Sequence, residues 1–189
     1  AWAMDWTTRY PDVRQKVLDE LAELGENPDP LAITKLPYLT AVCNETLRIH
    51  PVGMLTFPRR VEQAIDIAGY QVEPGEIFLG CIYLLHQRED LYPNPTEFNP
   101  DRFLERQFSA YEFMPFGAGA RRCVGYALAM YELKLVLATV LQTWQLGLTN
   151  PAPVSPERRG LTLGPKGGVE LRVEGTATRL AAGQSVAVL

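Results

Sequence analysis

The stretch FMPFGAGARRCVG, from Phe113 to Gly125, stands directly before the most apolar segment of the chain, Tyr126 to Trp144. Gly117, Gly119 and Gly125 flank a single cysteine, Cys123. Glycine admits backbone conformations closed to other residues and lets a flat or bulky ligand approach the main chain. Arg121 and Arg122 place positive charge beside the sulfur. The helix expected after Gly125 turns its N-terminal N–H groups and partial positive charge toward the same place. A thiolate is retained in such surroundings, and the thiolate is the form that acts as nucleophile or metal ligand. The helix carries only Glu132 and Lys134 as charges and is apolar almost all the way round, so it is expected in the interior of a large fold.

Upstream of the loop the pattern is mostly helical. Ala1 to Tyr10 reads as the end of a helix that Pro11 punctuates. Val13, Val17, Leu18, Leu21 and Leu24 recur at helical spacing until Gly25, where GENPDP supplies turn chemistry. A further helix is expected from Pro37, acceptable at a first helical position, to Ile49, with Pro51 ending it. Leu39, Val42, Cys43, Leu47 and Ile49 form its apolar arc. Glu45 borders that arc, and Arg48 lies farther round within reach of Glu45.

Between Phe57 and Cys81, breakers at Gly69, Pro74 and Gly75 separate short runs that suggest one small antiparallel sheet. A short helix from Ile82 to about Arg88 follows. The proline-rich segment Asp90 to Phe103 has no period, yet Tyr92, Phe98 and Phe103 imply that it packs down. Beyond Trp144, the runs Gln145–Thr149, Gly160–Leu163 and Val169–Val173 read as strands, and the last residues, from about 174 to 189, as a weakly patterned tail. The expected class is mainly α with small antiparallel β-sheets.

The 189 residues, 47% of them hydrophobic and with a formal net charge of −4, are too apolar and too weakly charged for a disordered chain. They lack the basic stripe that nucleic-acid binding needs. Cys43, Cys81 and Cys123 lie about forty residues apart with no CxxC pair, which argues against a disulfide scaffold and a zinc finger. The longest apolar run, Ile77 to Leu85, is about half the ~18 residues a membrane span requires. The chain opens on Ala1 with neither Met nor cap, and so reads as a piece of something longer.

The cysteine loop admits three chemistries. A phosphate cradle is disfavoured, because no Gly-Lys-Ser/Thr follows and the third glycine comes too late for GxGxxG. A nucleophilic cysteine lacks an obvious base, since the two histidines, His50 and His86, stand in unremarkable settings. Metal ligation through one thiolate leaves the remaining ligands to something other than protein, and a haem supplies them.

At Phe116, Gly117, Gly119, Arg121, Cys123 and Gly125 the loop resembles the haem-binding motif Phe-Gly-x-Gly-x-Arg-x-Cys-x-Gly of the cytochrome P450 family. Glu45-Thr46-Leu47-Arg48 resembles its Glu-x-x-Arg helix, and Pro100-Asp101-Arg102-Phe103 its Pro-x-Arg-Phe segment. The resemblance covers about residues 1 to 173 and implies the carboxy-terminal, haem-ligating part of one such domain.

It implies that Cys123 is the axial thiolate, that Arg121 pairs with a haem propionate and that Phe116 lies against the porphyrin. Glu45, Arg48 and Arg102 are implied as a buried salt-bridge network. Arg60, with Arg59 as the alternative, matches a second propionate partner. Val52, Met54, Leu55 and Phe57 resemble the apolar wall of the substrate pocket, although a core strand explains them equally well, and Arg159 to Leu163 could approach the same pocket.

The implied activity is insertion of one oxygen atom of dioxygen into a lipophilic small molecule, with electrons from a ferredoxin or flavoprotein reductase. Arg122 is a candidate docking residue for that partner. The family's acid-threonine pair is expected upstream of Ala1, and Thr7 and Thr8 do not fill its place. The 189 residues alone are therefore expected to be inactive or nearly so, and the resemblance leaves a membrane anchor open in segments upstream. Alternative readings are a peroxide-using or isomerising haem-thiolate enzyme and a non-catalytic haem-binding module.

Overall fold

The computed structural model describes residues 1–177. Seven helices and eight strands follow one another along them. The helices are α1 (Trp2–Arg9), α2 (Pro11–Ala22), α3 (Pro30–Ile33), α4 (Pro37–Ile49), α5 (Ile82–His86), α6 (Arg102–Glu105) and α7 (Tyr126–Thr143). The strands are β1 (Arg59–Arg60), β2 (Ile65–Ile67), β3 (Tyr70–Val72), β4 (Ile77–Phe78), β5 (Trp144–Leu148), β6 (Pro156–Arg159), β7 (Thr162–Pro165) and β8 (Leu171–Thr176). Among the described residues no helix is long and apolar enough to cross a membrane.

The core forms where α2, α4 and α7 meet. Val17 and Leu21 of α2, Leu39, Val42 and Cys43 of α4, and Leu137, Ala138 and Leu141 of α7 are all buried together there. Proline opens α4 at its first position, and the next free N–H groups need acceptors. Glu20 of α2 supplies both, its Oε1 accepting from Tyr38 N at 2.7 Å and its Oε2 from Leu39 N at 2.9 Å. One carboxylate thus caps α4 and fixes the angle between the two helices. Replacing Leu39, which is fully buried, with alanine is expected to cost about 2–5 kcal/mol by urea unfolding, since it removes a leucine side chain from the centre of this contact.

Several elements differ from expectation. The segment from Phe57 to Cys81 forms two separate antiparallel ladders, β1 with β4 and β2 with β3. Ala68 (φ 53°) and Gly69 (φ 84°) form a two-residue turn with both φ positive, which closes β2 on β3. That leaves β1 to pair across the hairpin with β4.

Helix α7 buries only Leu137, Ala138 and Leu141. Among the described residues it packs on α2, α3, α4 and β5. Leu128 and Val136 are more than half exposed. Strand β8 pairs with β5 as far as Thr176, so residues 174–176 of the expected tail belong to a strand, and Ala177 N–H donates to the Thr143 carbonyl at 3.0 Å. Residues 178–189 of that tail lie outside the described residues.

The aperiodic segment 90–103 does pack down. Tyr92 and Phe98 are buried, and Phe98 stacks on Trp6 of α1 at 4.8 Å between ring centroids. In α1 the hydroxyls of Thr7 and Thr8 donate to the carbonyls of Ala3 and Met4, at 2.8 Å and 2.7 Å, and are used up within the helix.

Candidate functional site

Two adjoining parts make up the site, a buried ionic cluster and an exposed cysteine loop. Glu45 and Arg48 sit one helical turn apart in α4, so their side chains emerge on the same side. Arg48 Nε donates to Glu45 Oε2 at 2.7 Å and Arg48 Nη2 to Oε1 at 2.8 Å, a bidentate pair with both side chains fully buried. Arg102, the first residue of α6, donates from Nε to the same Oε1 at 3.1 Å.

The remaining capacity of the cluster is taken by main chain. Arg48 Nη1 donates to the His86 carbonyl at 2.8 Å and Nη2 to that of Glu97 at 3.3 Å. Arg102 Nη1 donates to the Pro93 carbonyl at 3.2 Å, and Asn99 N–H to Glu45 Oε1 at 3.0 Å. The Arg48 guanidinium also lies over the ring of Tyr92 at 5.1 Å. The structure therefore brings Glu45, Arg48 and Arg102 together away from water and uses them to hold residues 93–99 against α4.

Beyond Tyr92, whose hydroxyl donates to the Glu112 carbonyl at 2.9 Å, the chain enters the cysteine loop. Gly117 and Gly119 have φ of 72° and 65°, the left-handed region that an L side chain resists. The loop closes on itself through Cys123 N–H to the Phe116 carbonyl at 2.9 Å. A 3-10 turn, Gly119–Arg121, lies inside it, and α7 begins three residues after the cysteine with Gly125 as its N-cap.

Cys123 is exposed, whereas Cys43 is buried in the core. Burial pushes the Cys43 thiol up to about 12, so that sulfur stays protonated. Arg121 and Arg122 are exposed beside Cys123, and the Arg122 guanidinium stacks over Tyr126 at 3.8 Å. Phe116 is half-buried against the same tyrosine. Behind the loop, Phe113, Phe116, Gly117, Arg122, Tyr126 and Met130 help to line a cleft of about 240 Å³.

The sequence-predicted wall, Val52 to Phe57, is an extended segment held by isolated bridges and contains no regular strand. Gly53 pairs with Thr162 and Leu55 with Cys81. Leu163 N–H donates to the Val52 carbonyl at 2.8 Å, which brings the β6–β7 turn beside Val52. Val52, Leu55 and Phe57 are 50%, 45% and 71% exposed, and Met54 is half-buried. Arg59 and Arg60, in β1, are exposed. Arg59 turns Nη1 back to the Phe57 carbonyl at 3.3 Å.

One residue escaped the sequence reading. His86 is fully buried, with both ring nitrogens bonded to main chain 38 and 28 residues away. Nothing local in its short helix signals this.

A protein-family model described as Cytochrome P450 matches residues 1–170. The chain is 34% identical over 187 residues to the protein named cytochrome P450 135B1 in Mycobacterium bovis, covering 99% of this chain and 39% of that protein. It is 36% identical to geraniol 8-hydroxylase of Catharanthus roseus, covering 86% of this chain and 35% of the plant protein. It is 35% identical to cytochrome P450 3A29 of Sus scrofa, over 71% of this chain and 28% of the pig protein. The chain belongs to the cytochrome P450 family, and it spans two fifths or less of the length of these relatives.

Membership implies a haem, and the residues present fit one. Cys123 offers a single exposed thiolate position, which suits a metal that arrives with its other ligands already in place. A macrocycle supplies those ligands, and the left-handed glycines keep side chains off the loop where a flat group must approach.

Proposed function

We propose that this chain is the thiolate-bearing part of a haem monooxygenase that inserts one oxygen atom of dioxygen into a lipophilic small molecule, with Cys123 as the residue whose thiolate would hold the haem iron. The exposure of Cys123 on a loop rooted in a buried ionic cluster carries the reading: the sulfur is accessible, and its support is rigid. When bound, the haem supplies the redox chemistry that activates oxygen.

The protein's own residues do the holding and the selecting. Arg121 and Arg60 are exposed guanidinium groups suited to two propionates. Phe116 and the glycines, Gly117, Gly119 and Gly125, form the apolar, close-approach bed. Val52, Met54, Leu55 and Phe57, together with the β6–β7 turn, present apolar surface to a lipophilic substrate and exclude water from it. Electrons come from a ferredoxin or flavoprotein reductase that meets the cysteine side of the fold, where Arg122 lies exposed. The hydroxylase names of relatives such as geraniol 8-hydroxylase support oxygen insertion as the reaction class.

The test is the ferrous-CO spectrum of the haem-loaded protein. A strongly red-shifted Soret band is expected, and Cys123→Ser is expected to abolish the shift. Persistence of the shift in Cys123→Ser would exclude Cys123 as the ligand.

A further inference from the structure

The root of the cysteine loop is held by a side chain outside it. Among the described residues, a single side-chain hydrogen bond reaches the segment Phe113–Cys123 from elsewhere in the chain: Met114 N–H donates to His86 Nε2 at 3.0 Å. On the other side of the ring, Nδ1 lies 3.2 Å from the carbonyl oxygen of Arg48. A carbonyl can only accept and an amide N–H can only donate, so the two partners together dictate the tautomer. The proton sits on Nδ1, and Nε2 is the free acceptor.

We propose that His86 is a positioning residue for the cysteine loop: the Arg48 carbonyl fixes its tautomer, and its Nε2 then anchors Met114, from which the loop springs. The proposal rests on Cys123 being the haem ligand.

The relay can be followed atom by atom. Arg48, locked by Glu45, donates from Nη1 to the carbonyl of His86, while the His86 ring donates to the carbonyl of Arg48. This reciprocal pair fixes the ring relative to α4. Phe113 stacks on the imidazole at 5.4 Å and Tyr92 meets it edge-on at 6.1 Å, so the ring cannot swing away. From Nε2 the path enters the loop through Met114 N–H. The Met114 carbonyl then accepts from Gly117 N–H at 2.9 Å, and the carbonyl of neighbouring Phe116 accepts from Cys123 N–H at 2.9 Å. Burial holds the imidazole neutral, its pKa lowered to about 4, which keeps Nε2 an acceptor at neutral pH. The chain of bonds runs from the ionic cluster to the peptide of the cysteine itself.

Two amide variants separate this role from simple packing. In His86→Gln the side-chain amide oxygen reaches the position of Nε2 and keeps the acceptor for Met114. In His86→Asn the shorter side chain brings its amide nitrogen only to the position of Nδ1, which keeps the donor to Arg48 and loses the acceptor. In the haem-loaded protein, hydrogen exchange at the Met114 amide, taken relative to the core amide of Leu39, is expected to stay within about twofold of the parent in His86→Gln. It should accelerate about tenfold in His86→Asn and in His86→Phe, the worth of one lost hydrogen bond. The red-shifted ferrous-CO band should persist in the glutamine variant and give way in the other two. Equal behaviour of the His86→Asn and His86→Gln variants, whether both hold haem or both fail to accumulate, overturns the proposal, and so does the reverse order. Absence of the red-shifted band in the unaltered protein would refute Cys123 ligation instead, with the Met114 exchange order still deciding the anchor.

Discussion

Glu45→Ala is expected to remove about 3–5 kcal/mol of stability, the loss that follows when one partner is deleted from a buried ion pair. Arg48 and Arg102 would then face one another, both inside the protein, with no anion between them. A domain has about 5–15 kcal/mol in total, so the loss takes a large share of the variant's stability. Glu45→Gln keeps one oxygen for the Asn99 amide but not the charge, and its loss should fall between the parent and alanine. Urea unfolding of the three proteins measures the series. A loss below about 1 kcal/mol for Glu45→Ala would place the cluster with solvated surface pairs, against its observed burial.

Acid should unfold the protein through its two histidines. Burial lowers His86 to about 4 against the opposing pull of its bond to the Arg48 carbonyl, and burial lowers His50, stacked 3.7 Å from Trp2, to about 4 as well. In the unfolded chain each titrates near 6.5. As pH falls below about 6.5 the unfolded state takes up protons that the folded state refuses, so stability declines and the full penalty is present by about pH 4. At 1.36 kcal/mol per pKa unit, each ring contributes about 3 kcal/mol of that decline, with His50 contributing less because it keeps some contact with solvent. Urea midpoints at pH 7.5 and 4.5 should therefore separate clearly, and His50→Phe should narrow the gap. An unchanged gap in that variant would mean that carboxylates, not His50, drive the acid transition.

Much of the helical frame was legible because its causes are local. The spacing of Val17 and Leu21, and of Leu39, Val42 and Cys43, marks α2 and α4 through contacts each helix makes on one face. Helix α3 is not signalled locally, because Asp29 and Pro30 read equally well as turn residues. In the structure Asp29 caps four helical residues, its carboxylate accepting from Leu31 N–H.

The family and the cysteine loop were readable from six spaced residues, since glycine, arginine and cysteine there answer to backbone and charge requirements that leave little choice. The burial of Arg48 was not legible from its helix, where a charged residue off the apolar arc reads as solvated. The carbonyls that take its guanidinium belong to His86 and Glu97, 38 and 49 residues away in sequence. His86 was dismissed for the same reason: its tautomer and role depend on the main chain of Arg48 and Met114, which no window around residue 86 contains.

The ionic cluster also limits how this chain can change over time. Glu45 Oε1 accepts from Arg48, Arg102 and Asn99 together, so no member can be exchanged alone without stranding the rest. An apolar replacement of the whole set could be as stable as the original. Reaching it takes three coordinated substitutions, and each single step on the way costs about 3–5 kcal/mol. Glu45, Arg48 and Arg102 are therefore expected to change only as one unit, whereas the exposed side chains of Val52, Leu55 and Phe57 can be exchanged one at a time without stranding a buried charge.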